Sequence, residues 1–163
     1  MEHLELLSLL DYKNGGLYWR VPRQKTKVGQ RFGGINLLNK GYRSGVVHYK
    51  RYYEHRLIWF YHHGKWPKGD LDHINGNKAD NRIENLREAT RTQNNFNRDN
   101  FKGTSQYKGV YYRKDTNKWA AQYWYKGKRY GLGCYLTEID AAKAYDDAVT
   151  NLEKDYARKN IND

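Results

Sequence analysis

Between residues 107 and 152 the chain runs through three strand-like segments and then changes period, an order that few folds can satisfy. Residues 108–114, 118–126 and 128–135 are rich in Tyr, Trp, Val and Lys, with breaks at Asp115-Thr116-Asn117 and at Gly127 that suit hairpin turns. From Thr137 to about Leu152 the spacing becomes helical, with Thr137 as N-cap and Asp140 at the third helical position. Ala141, Ala144, Tyr145 and Ala148 share one face, small enough to lie close on a sheet. The expectation is a three-stranded antiparallel sheet packed on one helix.

Upstream the segments are shorter. A brief apolar segment opens the chain. Gly15-Gly16 then leads into Leu17-Tyr18-Trp19-Arg20, and Gly33-Gly34 into Ile35-Asn36-Leu37. Gly41 precedes a run from Tyr42 to Val47, followed by Arg51-Tyr52-Tyr53, and all of these read as hairpin strands. Leu57, Ile58 and Tyr61 predict a helix over 54–63 that stops at Gly64. Residues 71–97 read as strand, polar loop, strand and helix. The strands fall at 71–74 and at Asn85-Leu86-Arg87, and Thr90 with Gln93 forms a capping box. Hydrophobic residues make up only 38% of the chain, yet 15% is aromatic, which favours two small aromatic cores over one large one. The fold class is α+β: a first module over 1–97, a polar linker over 98–106, a second module over 107–152 and a charged tail over 153–163 with nothing to fix it.

Charge narrows the partner. Thirty Lys and Arg against 18 Asp and Glu give a formal net charge of +12, which favours a polyanion. No long apolar run supports a membrane span, and the opening residues are too short and acidic for a signal peptide. An intracellular protein with a nucleic-acid rather than a membrane partner is expected. Cys134 is the sole cysteine, so no disulfide or Cys-based zinc site can hold the fold; it reads as a small buried apolar residue.

Chemistry concentrates in LDHINGNKADNRIENLREATRTQN, residues 71–94. Phosphodiester hydrolysis needs a deprotonated water, a stabiliser of negative charge and help for the leaving oxygen. A hard cation on oxygen ligands serves the last two needs, and an imidazole that titrates near neutrality serves the first. Asp72 is the candidate carboxylate ligand and Asn94, from the first turn of a helix, the candidate amide ligand. His73, adjacent to Asp72 on a strand, points to the other side and is the candidate general base. With so few protein ligands, Mg²⁺ or Mn²⁺ is expected. The other Asn residues of the run, Asn75, Asn77, Asn81 and Asn95, read mostly as turns or solvated caps.

Asp72-His73, Asn85-Leu86, Thr90, Gln93 and Asn94, with His55-Arg56-Leu57-Ile58-Trp59 upstream, resemble the HNH nucleases, most closely those of bacteriophage homing endonucleases. That resemblance spans roughly residues 10–97. It implies a ββα-metal unit with an additional N-terminal β-hairpin region, metal ligands at Asp72 and Asn94, and a general base at His73. It also assigns Asn85 the task of fixing the loop and positioning the base. Many relatives carry His where this chain has Asn94. Neither His55 nor Arg56 has an assigned chemistry.

The second module reads as a DNA-binding sheet. Alternation puts Trp119, Ala121, Tyr123 and Tyr125 on the helix side, and Lys118, Ala120, Gln122, Trp124 and Lys126 on the open side. Tyr111, Arg113 and Arg129 join the open side, with Lys108 at its margin. Gln and Arg can read base edges while Lys holds phosphates. Tyr107-Lys108-Gly109-Val110, Lys118-Trp119-Ala120-Ala121, Leu132-Gly133 and the stretch from Ala141 to Asp146 resemble the apetala-type domain of plant ethylene-response factors. In that family a three-stranded sheet enters the major groove. Tyr111 and Trp124 stand where that family usually has Arg, so its base preference does not carry over. Together these features predict a site-directed, metal-dependent DNA endonuclease of the homing type, acting as a monomer in the cytoplasm of a phage-infected cell. The rivals are a non-cleaving DNA-binding protein on an inactive HNH scaffold and an RNA-directed protein.

Overall fold

Leu6 and Leu10 are fully buried, which draws the opening residues onto the rest of the first core. In a computed structural model of the chain, residues 1–23, 25–35, 41–98 and 103–161 are described. The expected strand residues Asn36 and Leu37, linker residues 99–102 and tail residues 162–163 lie outside that set. The protein is α+β and divides into two units, Met1–Glu88 and Ala89–Asp163.

In the first unit, α1 (His3–Leu9) starts from a reciprocal cap between Glu2 and Glu5, and β1 (Leu10–Lys13) pairs antiparallel with β2 (Gly16–Trp19). β3 (Gly34–Ile35), β4 (Arg43–Val47) and β5 (Lys50–Tyr53) form a three-stranded antiparallel sheet in that order. Gly45 has no substitute here, because a Cβ would sit 2.6 Å from the buried Phe32 ring. α2 (Glu54–His63) follows β5 directly and stops at Gly64 in the left-handed conformation, as the spacing predicts. β6 (Asp70–His73) pairs with β7 (Leu86–Ala89), and a 3-10 turn (Ile83–Asn85) precedes β7. Asn85 therefore ends a turn rather than opening the strand, because its side chain is drawn back to Asn75 and Asp80. Leu10, Leu17, Phe32, Leu57 and Ile58, all fully buried, centre the core. Each contributes about 1.5–3 kcal/mol by the area it removes from water.

The second unit contains α3 (Arg91–Asn97), β8 (Val110–Arg113), β9 (Lys118–Tyr125), β10 (Lys128–Tyr135) and α4 (Glu138–Glu153). The strands form one antiparallel sheet in the order β10-β9-β8. Both expected caps are present: Thr90 and Gln93 bond reciprocally at α3, and the Thr137 hydroxyl accepts from the Asp140 N–H at α4. Val110, Ala121, Ala141, Ala142, Tyr145 and Val149 make the core. Gly109 lets it close: φ is +77°, and a Cβ there would stand 2.2 Å from the Tyr145 ring. Phe96 of α3 packs in the same core, and the Gln93 amide donates to Glu153 of α4 at 3.0 Å. The division of the chain accordingly falls after Glu88, which counts α3 with the sheet.

Two expectations are corrected here. The residues after α4 are held: both Asp146 carboxylate oxygens accept from the Asn160 N–H at 2.8 and 2.9 Å, and Ile161 packs on the core. Cys134 is exposed rather than buried, because its register partner is Ala120 on the sheet face away from the helix.

Candidate functional site

β6 carries Asp72 and His73 at successive positions, so their side chains leave opposite faces of the strand. Each is only 4% exposed. Asp72 meets Arg87 of the paired strand: Nε and Nη2 of the guanidinium donate to the same carboxylate oxygen, Oδ2, at 2.8 and 2.7 Å. His73 meets Asn81, with Nε2 2.9 Å from the amide oxygen. Its ring also lies beside Tyr42 and His55, at centroid distances of 5.9 and 5.3 Å. Burial lowers the His73 pKa, against the opposing pull of the Asn81 hydrogen bond, Asp72 and Asp80. The imidazole is thereby held in the neutral form that a base requires.

Asn81 is fixed from its other end. Its amide nitrogen donates to Oε2 of Glu54 at 2.8 Å, and Glu54 is fully buried at the first turn of α2. Glu54 also accepts from the Leu17 N–H at 3.2 Å and from Arg31 at 3.3 and 3.2 Å, and it pairs with Arg43 at 3.6 Å. A buried carboxylate facing this many donors accepts at every contact, so the Asn81 nitrogen must point to Glu54 and its oxygen to His73. The His73 Nε2 then carries the hydrogen, and Nδ1 carries the lone pair.

Asn85 staples the intervening loop. Its oxygen accepts from the Asn75 N–H at 3.0 Å, while its nitrogen donates to the Asn75 side-chain oxygen at 3.0 Å and the Asp80 carbonyl at 2.7 Å. Asp80 closes the loop through a two-pronged pair with Arg82, both contacts at 2.8 Å, and that guanidinium holds the Asp80 carboxyl far below the usual range. Asn85, expected both to fix the loop and to position the base, bonds within the loop, and the side chain bonded to His73 is Asn81. Asn94 sits in the first turn of α3, in the second unit, where its N–H donates to the Thr90 carbonyl at 2.9 Å.

Sequence reasoning missed Glu54, Asn81 and Arg87. Glu54 read only as a helix start and Asn81 as a turn residue, whereas Asn81 is 1% exposed. One available signal was an acid adjoining the His55-Arg56 block. His55 itself is 7% exposed; burial, then His73 and Arg56, push its pKa down to about 3. Its Nδ1 has no hydrogen-bond partner among the described residues.

The donor chemistry here suits a hard cation. Arg87 donates twice to one oxygen of Asp72, and carboxylate and amide oxygens are the ligand types a hard cation takes. Among the described residues no three His, Cys, Asp or Glu side chains gather as a metal cluster. A single carboxylate supplemented by amide oxygen and water is the arrangement magnesium tolerates.

On the sheet, Trp119, Tyr123 and Tyr125 pack against the core with Ala121. The opposite face presents Trp124, 61% exposed, and Tyr111, 37% exposed. Lys118, Lys126 and Arg129 are exposed and Gln122 is half-buried. Register puts Arg129 directly opposite Trp124, and Arg113 opposite Lys118. Ala120 on this face is buried beneath its partners Tyr111 and Cys134. Arg113 pairs with Asp115. The Lys108 ammonium donates to the carbonyls of Phe96, Arg98 and Arg158, so its three donors are spent inside the unit. No helix among the described residues is long and apolar enough to cross a membrane.

Known proteins bear on both units. The HNH endonuclease family model matches residues 52–96, and the AP2 domain model matches residues 105–155. The chain is 33% identical to "Protein 3.8" of Escherichia phage T7 over 90 residues, which cover 52% of this chain and 74% of the phage protein. The first match contains Glu54, Asp72, His73, Asn81, Asn85 and Asn94, and the second contains the whole sheet and α4 to Glu153. With that coverage of a phage relative and these two matches, the chain belongs to the HNH endonuclease family and carries a C-terminal AP2 domain.

Proposed function

We propose that this protein is a metal-dependent DNA endonuclease of the homing type that hydrolyses one phosphodiester per active site. The observation that carries the reading is the buried Asp72-His73 pair on β6, each side chain braced by a separate partner, Arg87 and Asn81. His73 accepts the proton of the attacking water at Nδ1, its neutral state favoured by burial. Asn85 holds the loop from Asn75 to Asp80 against β7, which keeps Asn81 in reach of the imidazole. Asp72 and Asn94 are the proposed oxygen ligands for Mg²⁺ or Mn²⁺. When bound, that cation would offset negative charge on the scissile phosphate and assist the departing 3′ oxygen.

The sheet of the second unit is the proposed contact with double-stranded DNA. Trp124 and Tyr111 would pack on sugars or thymine methyls, Gln122 and Arg113 would meet base edges, and Lys118, Lys126 and Arg129 would take phosphates. Lys108, with its ammonium on three carbonyls, is given an internal role. The setting proposed is a mobile element of a phage genome, with the protein a monomer on DNA inside the infected cell.

Supercoiled plasmid incubated with Mg²⁺ or Mn²⁺, with and without chelator, tests the reading. Nicked circles that vanish on chelation are expected. Unchanged plasmid under every metal, with DNA still bound, would leave a non-cleaving binding protein.

A further inference from the structure

The His73 imidazole is connected to a buried charge by one amide. Glu54, fully buried, takes the Asn81 nitrogen at 2.8 Å, and the Asn81 oxygen meets His73 Nε2 at 2.9 Å. Neither partner can reverse without placing two donors or two acceptors face to face. A free amide has two orientations of nearly equal shape, and a neutral imidazole has two tautomers. Here the carboxylate chooses the first and the amide then chooses the second. Asn85, the motif residue expected to position the base, spends its side chain on Asn75 and Asp80 instead.

We propose that Asn81, oriented by Glu54, is the positioning residue for His73: it fixes the ring with hydrogen on Nε2 and presents Nδ1 to the attacking water. This rests on the reading of His73 as general base. Asn81 acts through His73 and touches neither substrate nor metal in this scheme. Its contribution is to remove a wrong tautomer and a ring rotation before DNA arrives, so it changes turnover rather than affinity. Partners that orient a metal-bound imidazole from behind contribute about 10–100-fold, and the same order is expected for this one.

The decisive measurement is made on the full chain without DNA or metal. Histidine-selective ¹⁵N labelling, with His73 assigned by comparison with His73→Gln, reports which ring nitrogen bears hydrogen. Hydrogen on Nε2, in a slowly exchanging resonance, is expected. Hydrogen on Nδ1 overturns the proposal, whatever the protein does to DNA. Asn81→Ala should lose the slow exchange and lower kcat by about 10–100-fold at an unchanged KM for DNA. A folded Asn81→Ala protein with wild-type kcat also overturns it. Absence of nicking by the wild type would remove the nuclease reading while leaving the tautomer result to stand on its own, so the two failures are separable.

Discussion

Acid should unfold the first unit in a way that one residue controls. His55 is 7% exposed, lies among the rings of Tyr42, Tyr53 and His73, and has its pKa pushed from 6.5 down to about 3. Between those two values the unfolded chain binds a proton at His55 and the folded chain does not. Stability therefore rises with pH across this window, by about 1.4 kcal/mol per pH unit, and is lost as the pH falls. From pH 7 to about pH 4.5 the loss from His55 alone is about 2.5 kcal/mol. Replacing His55 with Phe keeps a flat ring in the cluster and removes the titration. It also removes the buried Nδ1, which has no partner among the described residues. The assay is urea unfolding of wild type and His55→Phe at several pH values from 7 to 4.5. Titrating groups other than His55 and its neighbour His73 are common to both proteins and cancel in the difference. The gap should close or invert in favour of the variant by about 2.5 kcal/mol at the acid end. Parallel stability curves would refute the claim that His55 is held neutral by burial.

His73→Ala should abolish nicking while DNA affinity stays nearly intact; a large loss of binding in filter or anisotropy titrations would contradict its role as base. Asp72→Asn should slow cleavage and demand more Mg²⁺ for saturation, and a wild-type rate and metal dependence would remove Asp72 from the site. Replacing Lys118, Lys126 and Arg129 together with Ala should flatten the dependence of log affinity on log salt by up to about 0.9 per lost phosphate contact. A salt slope equal to that of the wild type would mean that this face does not meet the backbone. Glu54→Ala leaves Arg31 and Arg43 facing a vacated buried position and should cost roughly 3–5 kcal/mol in chemical denaturation, the usual penalty for breaking a buried pair from one side. A change under 1 kcal/mol would show that the carboxylate is not the hub it looks to be.

The features that could be read from the sequence were those governed by near neighbours. Thr90 with Gln93 and Thr137 with Asp140 are caps three residues apart, and both helices start where those pairs put them. Alternation along 118–126 separated Trp119, Tyr123 and Tyr125 from Trp124, because a strand's two faces are set by parity alone. What escaped depends on distant partners. Asn81 lies eight residues from His73 and 27 from Glu54, and no local pattern distinguishes it from Asn77, which caps a turn. The tail was unreadable for the same reason: its anchor is the Asp146 carboxylate, 14 residues earlier on α4. Cys134 was misjudged because its residue type favours burial, whereas its strand parity puts it on the open face beside Ala120.

The family match begins at residue 52, yet the carboxylate behind the candidate base depends on residues outside it. Leu17, Arg31 and Arg43 supply most of the donors to Glu54, and all three precede the match. The strands of residues 1–51 are therefore part of the machinery that orients His73 through Asn81, and not an appendage to a minimal motif. The same accounting changes how the net charge should be read. Arg31, Arg43, Arg82 and Arg87 each face a carboxylate within the first unit, and the Lys108 ammonium ends on backbone carbonyls within the second. Those cations hold the fold. The net +12 already subtracts the acids in those pairs, so the excess that would draw a polyanion resides largely in exposed groups such as Lys118, Lys126 and Arg129 on the open sheet.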